Sequence, residues 1–425
     1  ASLRRPDTAE ALNPQDGLYS LAIRHDDSLQ ARIVGSVKHV LCEPGNGPVV
    51  AAIAAPETRV VTLTVTEKAY CRNPATGELD TDHPDIRTDL AEGTAATVPG
   101  LLTGALARRH ALGLPPIAIV SCDNLPANGR ALGNICVQFA ERRDPALARW
   151  IENEISFPSS MVDRIVPATT DRDRSEVSAL IGCEDAWPVV TEPFSQWVVE
   201  DRFAAGRPPL EQVGVIMADD VEPYEHMKLR LLNGSHSALA YLGVFAGYET
   251  VADAVADPLL RGYLAAMMRD EIKPTVNVPG VDLDAYIRSL LERFSNAALK
   301  HRTMQIAMDG SQKIPQRLLG TIRDRKSAGA PHDRLLLAVA AWIRHLSGVL
   351  PDGRRYEIDD PMAERLAGIA DRCLPDAGRF GNAVLDLPEV FGDDLRADQP
   401  FKKAILGHLN VLFSDGAVAA MRSVQ

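Results

Sequence analysis

The sequence predicts an α/β first half joined to a mostly α-helical second half. Three observations carry this. Residues 60–65 (VVTLTV) and 117–121 (IAIVS) are apolar, β-branched runs with little alternation, as expected for strands inside a parallel sheet. Helical patterns follow them at 99–112, 128–141 and 145–155, giving the βαβα order of a doubly wound fold. After Pro223 helical periodicity dominates and strand-like runs are scarce. The 425 residues exceed one ordinary core. The expected domains are therefore 1–222, α/β, and 223–425, mainly helical.

In chain order, a short helix is expected at 7–12, then the turn Asn13-Pro14-Gln15-Asp16-Gly17 and apolar segments at 18–23 and 32–37. Residues 48–53 suit either a helix start or a strand. Strand 60–65 ends in Thr66-Glu67, and a Pro/Gly/Asp-rich excursion covers 73–89. Strand 117–121 runs into Cys122-Asp123-Asn124. The C-terminal strand ends are where ligands sit in open α/β sheets. A loop with a short strand spans 156–167, mixed signals surround Pro193, and a short strand is expected at 213–217. The helical half is expected at 229–246, 251–269, 283–294, 335–346, 361–373 and 401–413.

The net charge of −12 argues against a general nucleic-acid binder, which needs clustered cations. The longest apolar run, 335–343, is far shorter than the roughly 20 residues of a membrane span. The six cysteines form no CxxC pair, and no Cys/His cluster has zinc-ligand spacing. Buried, reduced thiols in a cytoplasmic protein are the expectation, with no metal. The pattern does not define an oligomeric state.

One stretch organises the chain: residues 224–236, YEHMKLRLLNGSH. Met227, Leu231 and Leu232 recur at helical spacing. Lys228, Asn233 and His236 are the polar exceptions, within an arc of roughly 140° on an α-helix. One helix would then offer an amine, an amide and an imidazole to one pocket. A desolvated amine can serve as a base. An amide NH₂ stabilises a developing oxyanion, and an imidazole orients a hydroxyl. Glu225 precedes Lys228 by three residues and shares its face.

The run KLRLLNGSH resembles the signature of the long-chain mannitol dehydrogenase/fructuronate reductase family. The stretches SCDNLPANG (121–129), FPSSMVDRIVP (157–167) and MDGSQKIPQR (308–317) match it as well. The resemblance implies a Rossmann-like first domain and a metal-independent NAD enzyme that interconverts a secondary alcohol and a ketone. It implies Lys228 as general base, Asn233 and Asn124 on the reacting oxygen, and Glu225 relaying the proton to solvent. His236, Asp163 and Lys313 would bind the substrate. Gln305 stands where the family's mannitol enzymes carry Arg, so the run 301–317 looks closer to the D-mannonate oxidoreductase side. A sugar acid needs a cation for its carboxylate, and Arg302, Lys313 or Arg317 could supply it. A mannitol or arabinitol dehydrogenase is the alternative, and a catalytically silent sugar-binding fragment is another.

Dinucleotide folds place a Gly-rich turn at the first strand–helix junction. No G-x-G-x-x-G occurs here, and Gly45-Asn46-Gly47 has Val50 at the third glycine position. Residues 1–7 resemble the loop after the family's second strand, so the expectation is that the first strand–helix unit and most of the second strand are missing from this chain. Asp7 is then the candidate for the adenine ribose, with Arg4 and Arg5 leaving room for NADP. Thr66 and Glu67 are the candidates near the nicotinamide.

Overall fold

A computed structural model of the chain describes residues 1–3, 5–25, 28–73 and 76–425. Arg4, named above beside the cofactor, lies outside the described residues. Two compact units emerge, the first holding Ala1–Arg24 and Ser28–Glu225, the second His226–Gln425.

The first unit carries eight strands among its described residues: β1 (Tyr19–His25), β2 (Ser28–Val34), β3 (Val60–Leu63), β4 (Ala118–Ser121), β5 (Ser160–Asp163), β6 (Val189–Thr191), β7 (Gln196–Glu200) and β8 (Ile216–Ala218). They form three ladders, β2-β1-β6, β3-β4 and β5-β7-β8. β3 and β4 run parallel, with Val60 opposite Ala118 and Leu63 opposite Ser121. β4 explains its own sequence. Ile117 and Ile119 enter a cluster with Leu132, Ile135 and Phe139 of helix Asn128–Glu141. Val120 points the other way, toward Val199 and Val215. A strand covered on both faces needs apolar residues at successive positions.

The architecture is the α/β class expected, with departures in detail. The sheet is not uniformly parallel: β5 pairs antiparallel with β7, Met161 opposite Val198. Residues 48–53 are helical, within Gly47–Ile53. The excursion expected at 73–89 contains the start of helix Pro84–Glu92. Asp89 there accepts the backbone N–H groups of Ala96 and Thr97, at 3.1 and 2.8 Å, and so sets the entry to helix Val98–Ala111. Residues 171–181, left without an element in the sequence reading, form a helix opened by a Thr170/Asp173 capping box.

Strands are absent from the described residues of the second unit. Its apolar centre includes helices Ser235–Ala246 and Asp333–His345, every residue of 335–345 being buried. That burial accounts for the long apolar run without a membrane, and no helix among the described residues is long and apolar enough to cross one. The helix expected over 251–269 breaks at Asp257, whose carboxylate caps Leu259 N–H at 2.7 Å. The cysteines are free; Cys71 and Cys136 are buried, but Cys183 is exposed, contrary to the expectation of burial.

Candidate active site

In the first unit the ends of β3 and β4 are locked together by Asp123. Its carboxylate accepts Val65 N–H and the Tyr70 hydroxyl, each at 2.6 Å. Asn128 continues the lock, donating to Asp123 O at 2.9 Å and Ser160 O at 2.7 Å. Gly129 is required by packing: a Cβ there would stand 2.4 Å from Phe157 O and 2.5 Å from Ser159 N. The motif SCDNLPANG is thus mostly a brace. The residue it presents is Asn124, exposed just beyond β4.

Ala127 adopts a left-handed conformation, φ 48°. This turns its N–H, at the mouth of helix Asn128–Glu141, toward the Glu225 carboxylate at 3.2 Å. Burial raises the Glu225 pKa, and the acids Glu222, Glu200 and Asp220 push the same way. The carboxyl can therefore hold a proton at higher pH than an ordinary glutamate. Asp163 is buried at the end of β5, opposite Gln196.

Thr66 and Glu67 are exposed past the end of β3, at the start of the short turn Glu67–Tyr70. Asp7 is exposed at the first position of helix Asp7–Leu12. No hydrogen bond or ion pair joins Asp7 to Thr66 or Glu67 among the described residues.

The helix that carries Lys228, Asn233 and His236 differs from the regular one expected. An α-helical turn, Glu222–Met227, gives way to a π stretch, Lys228–Gly234, before α-geometry returns at Ser235. The i→i+5 bonding of a π turn adds nearly a residue per turn. Lys228 and Asn233, five apart, therefore come closer to one face than the α-helical arc allowed. The loosened carbonyls are partly recovered by Ser235, whose hydroxyl donates to Leu231 O and, at 3.1 Å, to Leu232 O. Lys228 and Asn233 are both half-buried.

The His236 ring stacks on Phe294, centroids 5.1 Å apart at 17°, and meets the His301 ring edge-on at 5.1 Å. Its Nε2 is buried with no hydrogen-bond partner. Burial drives its pKa well below the usual range, and the charges of His301, Arg317, Arg293 and Lys313 add to this. The imidazole is neutral at physiological pH, and its Nε2 is left without a hydrogen-bond partner.

Lys313 stands on helix Gly310–Ile314, half-buried. Its amine donates to Met308 O at 2.6 Å and lies 3.5 Å from Asp309. Burial lowers its pKa, with Arg317 contributing. The preceding residues explain why it is there. Gly310 packs so tightly that a Cβ would stand 2.2 Å from Trp342 Nε1, and Ser311 donates its N–H to Asp360 at 2.8 Å. Gln305 and Arg302 are exposed. Two participants were not singled out from the sequence: His301 and Phe294, which frame His236 from distant positions. Among the described residues no group of three or more His, Cys, Asp or Glu is arranged to hold a metal ion.

Comparison with known proteins shows the family. Residues 1–212 match the mannitol dehydrogenase Rossmann domain, and residues 220–412 match the mannitol dehydrogenase C-terminal domain. The chain belongs to the mannitol dehydrogenase family. It is 44% identical over 417 residues to mannitol 2-dehydrogenase of Pyrenophora tritici-repentis, covering 96% of this chain and 72% of the relative. It is 43% identical over 413 residues to the uncharacterized oxidoreductase YdfI of Escherichia coli, covering 96% of this chain and 85% of that one. Among solved structures, the ternary complex of Pseudomonas fluorescens mannitol 2-dehydrogenase with NAD and D-mannitol superposes with a TM-score of 0.85 at 38% identity, covering 98% of this chain and 85% of that one. A substrate-free D-sorbitol dehydrogenase gives 0.89 at 33% identity, covering 99% and 87%. The fold expected from the sequence is therefore a family property: a Rossmann domain followed by a helical domain.

Proposed function

We propose that this family member is an NAD-dependent oxidoreductase that interconverts a secondary alcohol and a ketone on an open-chain polyol, of the mannitol/fructose type. The observation that carries this is the π turn, which sets Lys228 and Asn233 toward one face, one helical turn before a neutral His236 with a vacant nitrogen. The named activities of the relatives above point to the same chemistry.

The residues at the ends of β3 and β4 fit a nicotinamide nucleotide. Thr66, Glu67 and Asn124 expose a hydroxyl, a carboxylate and a carboxamide there, over a bed whose buried Asp123 is satisfied. That set suits ribose hydroxyls and an amide group. Thr66 and Glu67 would hold this end and Asp7 the adenine ribose. The bound nicotinamide supplies the hydride acceptor.

Lys228, neutral at the moment of reaction, takes the hydroxyl proton as the carbinol hydrogen leaves as hydride. Asn233 donates an amide N–H to the oxygen, and Asn124 is assigned the second such donor. Two amides on one oxygen are worth roughly several kcal/mol in the transition state. His236 accepts a hydrogen bond from a substrate hydroxyl through Nε2. Glu225 receives the proton from Lys228 and passes it to solvent, a task suited to its raised pKa. Asp163 and Lys313 contact the remaining hydroxyls.

A sugar-acid substrate is the second reading. It is favoured by Gln305, exposed where the family's mannitol enzymes carry Arg, and by the half-buried Lys313. Assaying the purified protein on mannitol and mannonate with NAD, by absorbance of the reduced cofactor, tests both. Turnover of mannitol supports the proposal, turnover of mannonate alone transfers it to the sugar acid, and turnover of neither overturns it.

A further inference from the structure

Arg317 is a largely buried guanidinium with little to hold it. Its Nη1 donates to Ser237 Oγ at 3.1 Å, and it forms no ion pair among the described residues. The nearby acid Asp309 instead lies 3.5 Å from the Lys313 amine. Burying a guanidinium against one neutral hydroxyl is costly, and side chains in that condition are usually neutralised. Proteins keep such local costs at functional sites.

The placement of Arg317 is equally specific. It lies in a second π stretch, Pro315–Leu319, which packs against the Lys228–Gly234 stretch. Its carbonyl oxygen occupies the space a Cβ of Gly234 would need, 2.9 Å from that position. One end of Arg317 thus touches Gly234 and the other holds Ser237, on either side of Ser235 and His236.

We propose that Arg317 is a positioning residue for the oxygen-binding turn: its two grips fix the segment carrying Asn233 and His236, and its uncompensated charge favours the anionic oxygen that forms as the alcohol loses its proton. This rests on the assignment of Lys228, Asn233 and His236 made above. The covalent chemistry is unchanged; the proton still goes to Lys228 and the hydride to the nicotinamide.

The test compares Arg317→Met, Arg317→Lys and Ser237→Ala on mannitol and mannonate, with NADH binding followed by fluorescence. Arg317→Met should lose about 50-fold or more in kcat with KM changed less than about threefold, because the lost interaction belongs to the transition state. Arg317→Lys should recover about tenfold of that loss, and Ser237→Ala should cost about three- to tenfold. Wild-type-like kcat in Arg317→Met overturns the proposal, as does an Arg317→Lys no better than Met. A loss confined to mannonate also overturns it, since Arg317 would then contact a carboxylate. Should Arg317→Met not fold, Ser237→Ala decides, and an unchanged kcat there is a negative answer. Lys228→Ala is the control: if it stays active, the site assignment fails; if it is inactive while Arg317→Met is normal, this inference alone fails.

Discussion

The Glu225 carboxylate accepts the Ala127 amide at 3.2 Å, tying the last residue of the first unit to the loop that presents Asn124. The proton-relay role proposed for Glu225 would add a chemical task to this structural one, and the two can be separated. Glu225→Gln keeps the acceptor oxygen and loses the ionisation. Burial raises the Glu225 pKa above 4.5, so its contribution to stability is full below that value and lost as pH rises through the folded-state pKa. Gln avoids this loss. At pH 7 the variant should melt no lower than the wild type, while kcat falls about tenfold or more, within the range for removing an acid–base group. Thermal melts at pH 4.5 and 7, with steady-state kinetics, check both halves.

Lys228→Ala should reduce kcat by about 10²–10⁴-fold, the span expected for loss of a general base. NADH affinity should stay within about twofold, since the amine is assigned to the substrate. Fluorescence titration beside turnover measurements separates the effects; near-normal turnover would remove Lys228 from its role.

Gly234→Ala inserts a Cβ 2.9 Å from the Arg317 carbonyl. The neighbour is backbone and cannot swing away, so the two π stretches must part. A loss of about 1–3 kcal/mol in stability is expected from overpacking. A disproportionate fall in kcat should accompany it. Urea unfolding gives the first quantity; an unchanged midpoint would show that the stretches are looser than described.

Burial lowers the His345 pKa from 6.5 to about 4. Its ring is fixed by the Tyr356 hydroxyl at 2.9 Å from Nδ1. The folded chain keeps this imidazole neutral while the unfolded chain protonates near 6.5, so its contribution is full above 6.5 and lost as pH falls toward 4. A shift of that size is on the order of 3 kcal/mol across the window. His236, also lowered, acts in the same direction. Stability measured from pH 7 to 4 should fall, and His345→Phe should flatten the slope.

Asp123→Ala should weaken NADH binding more than it slows turnover at saturating cofactor. The substitution leaves Val65 N–H without its carboxylate and deprives the Tyr70 hydroxyl of one of its partners. A stability cost of about 1–3 kcal/mol is expected from stranding buried polar groups. Cofactor titration at two temperatures, beside unfolding curves, distinguishes the two losses.

What the sequence displayed best were features set by local physics. The two-sided burial of β4 makes its residues apolar in succession, and the capped helices begin close to their expected positions. Lys228, Asn233 and His236 stood out because polar residues interrupt an apolar stripe. The π stretch was not visible, because apolar spacing does not encode an i→i+5 register; in the fold it packs against Pro315–Leu319, far along the chain. Helix 171–181 was passed over because its polar composition leaves little apolar periodicity; Val177 is its one buried residue. Phe294 and His301 escaped notice for a related reason: only folding brings them to His236. The antiparallel pairing of β5 with β7 likewise reflects a tertiary choice that strand composition does not encode.

The contact between Gly310 and the Trp342 indole constrains how this family member can change over time. With no room for even a methyl group, position 310 is closed to every other residue while the indole remains. The Tyr241 hydroxyl would also stand 2.7 Å from that Cβ, so a lineage admits alanine only after both Trp342 and Tyr241 have withdrawn; the reverse order passes through a clashing intermediate. The three sites should therefore drift together, and replacing Gly310 alone should fail where the joint exchange with Trp342 and Tyr241 succeeds.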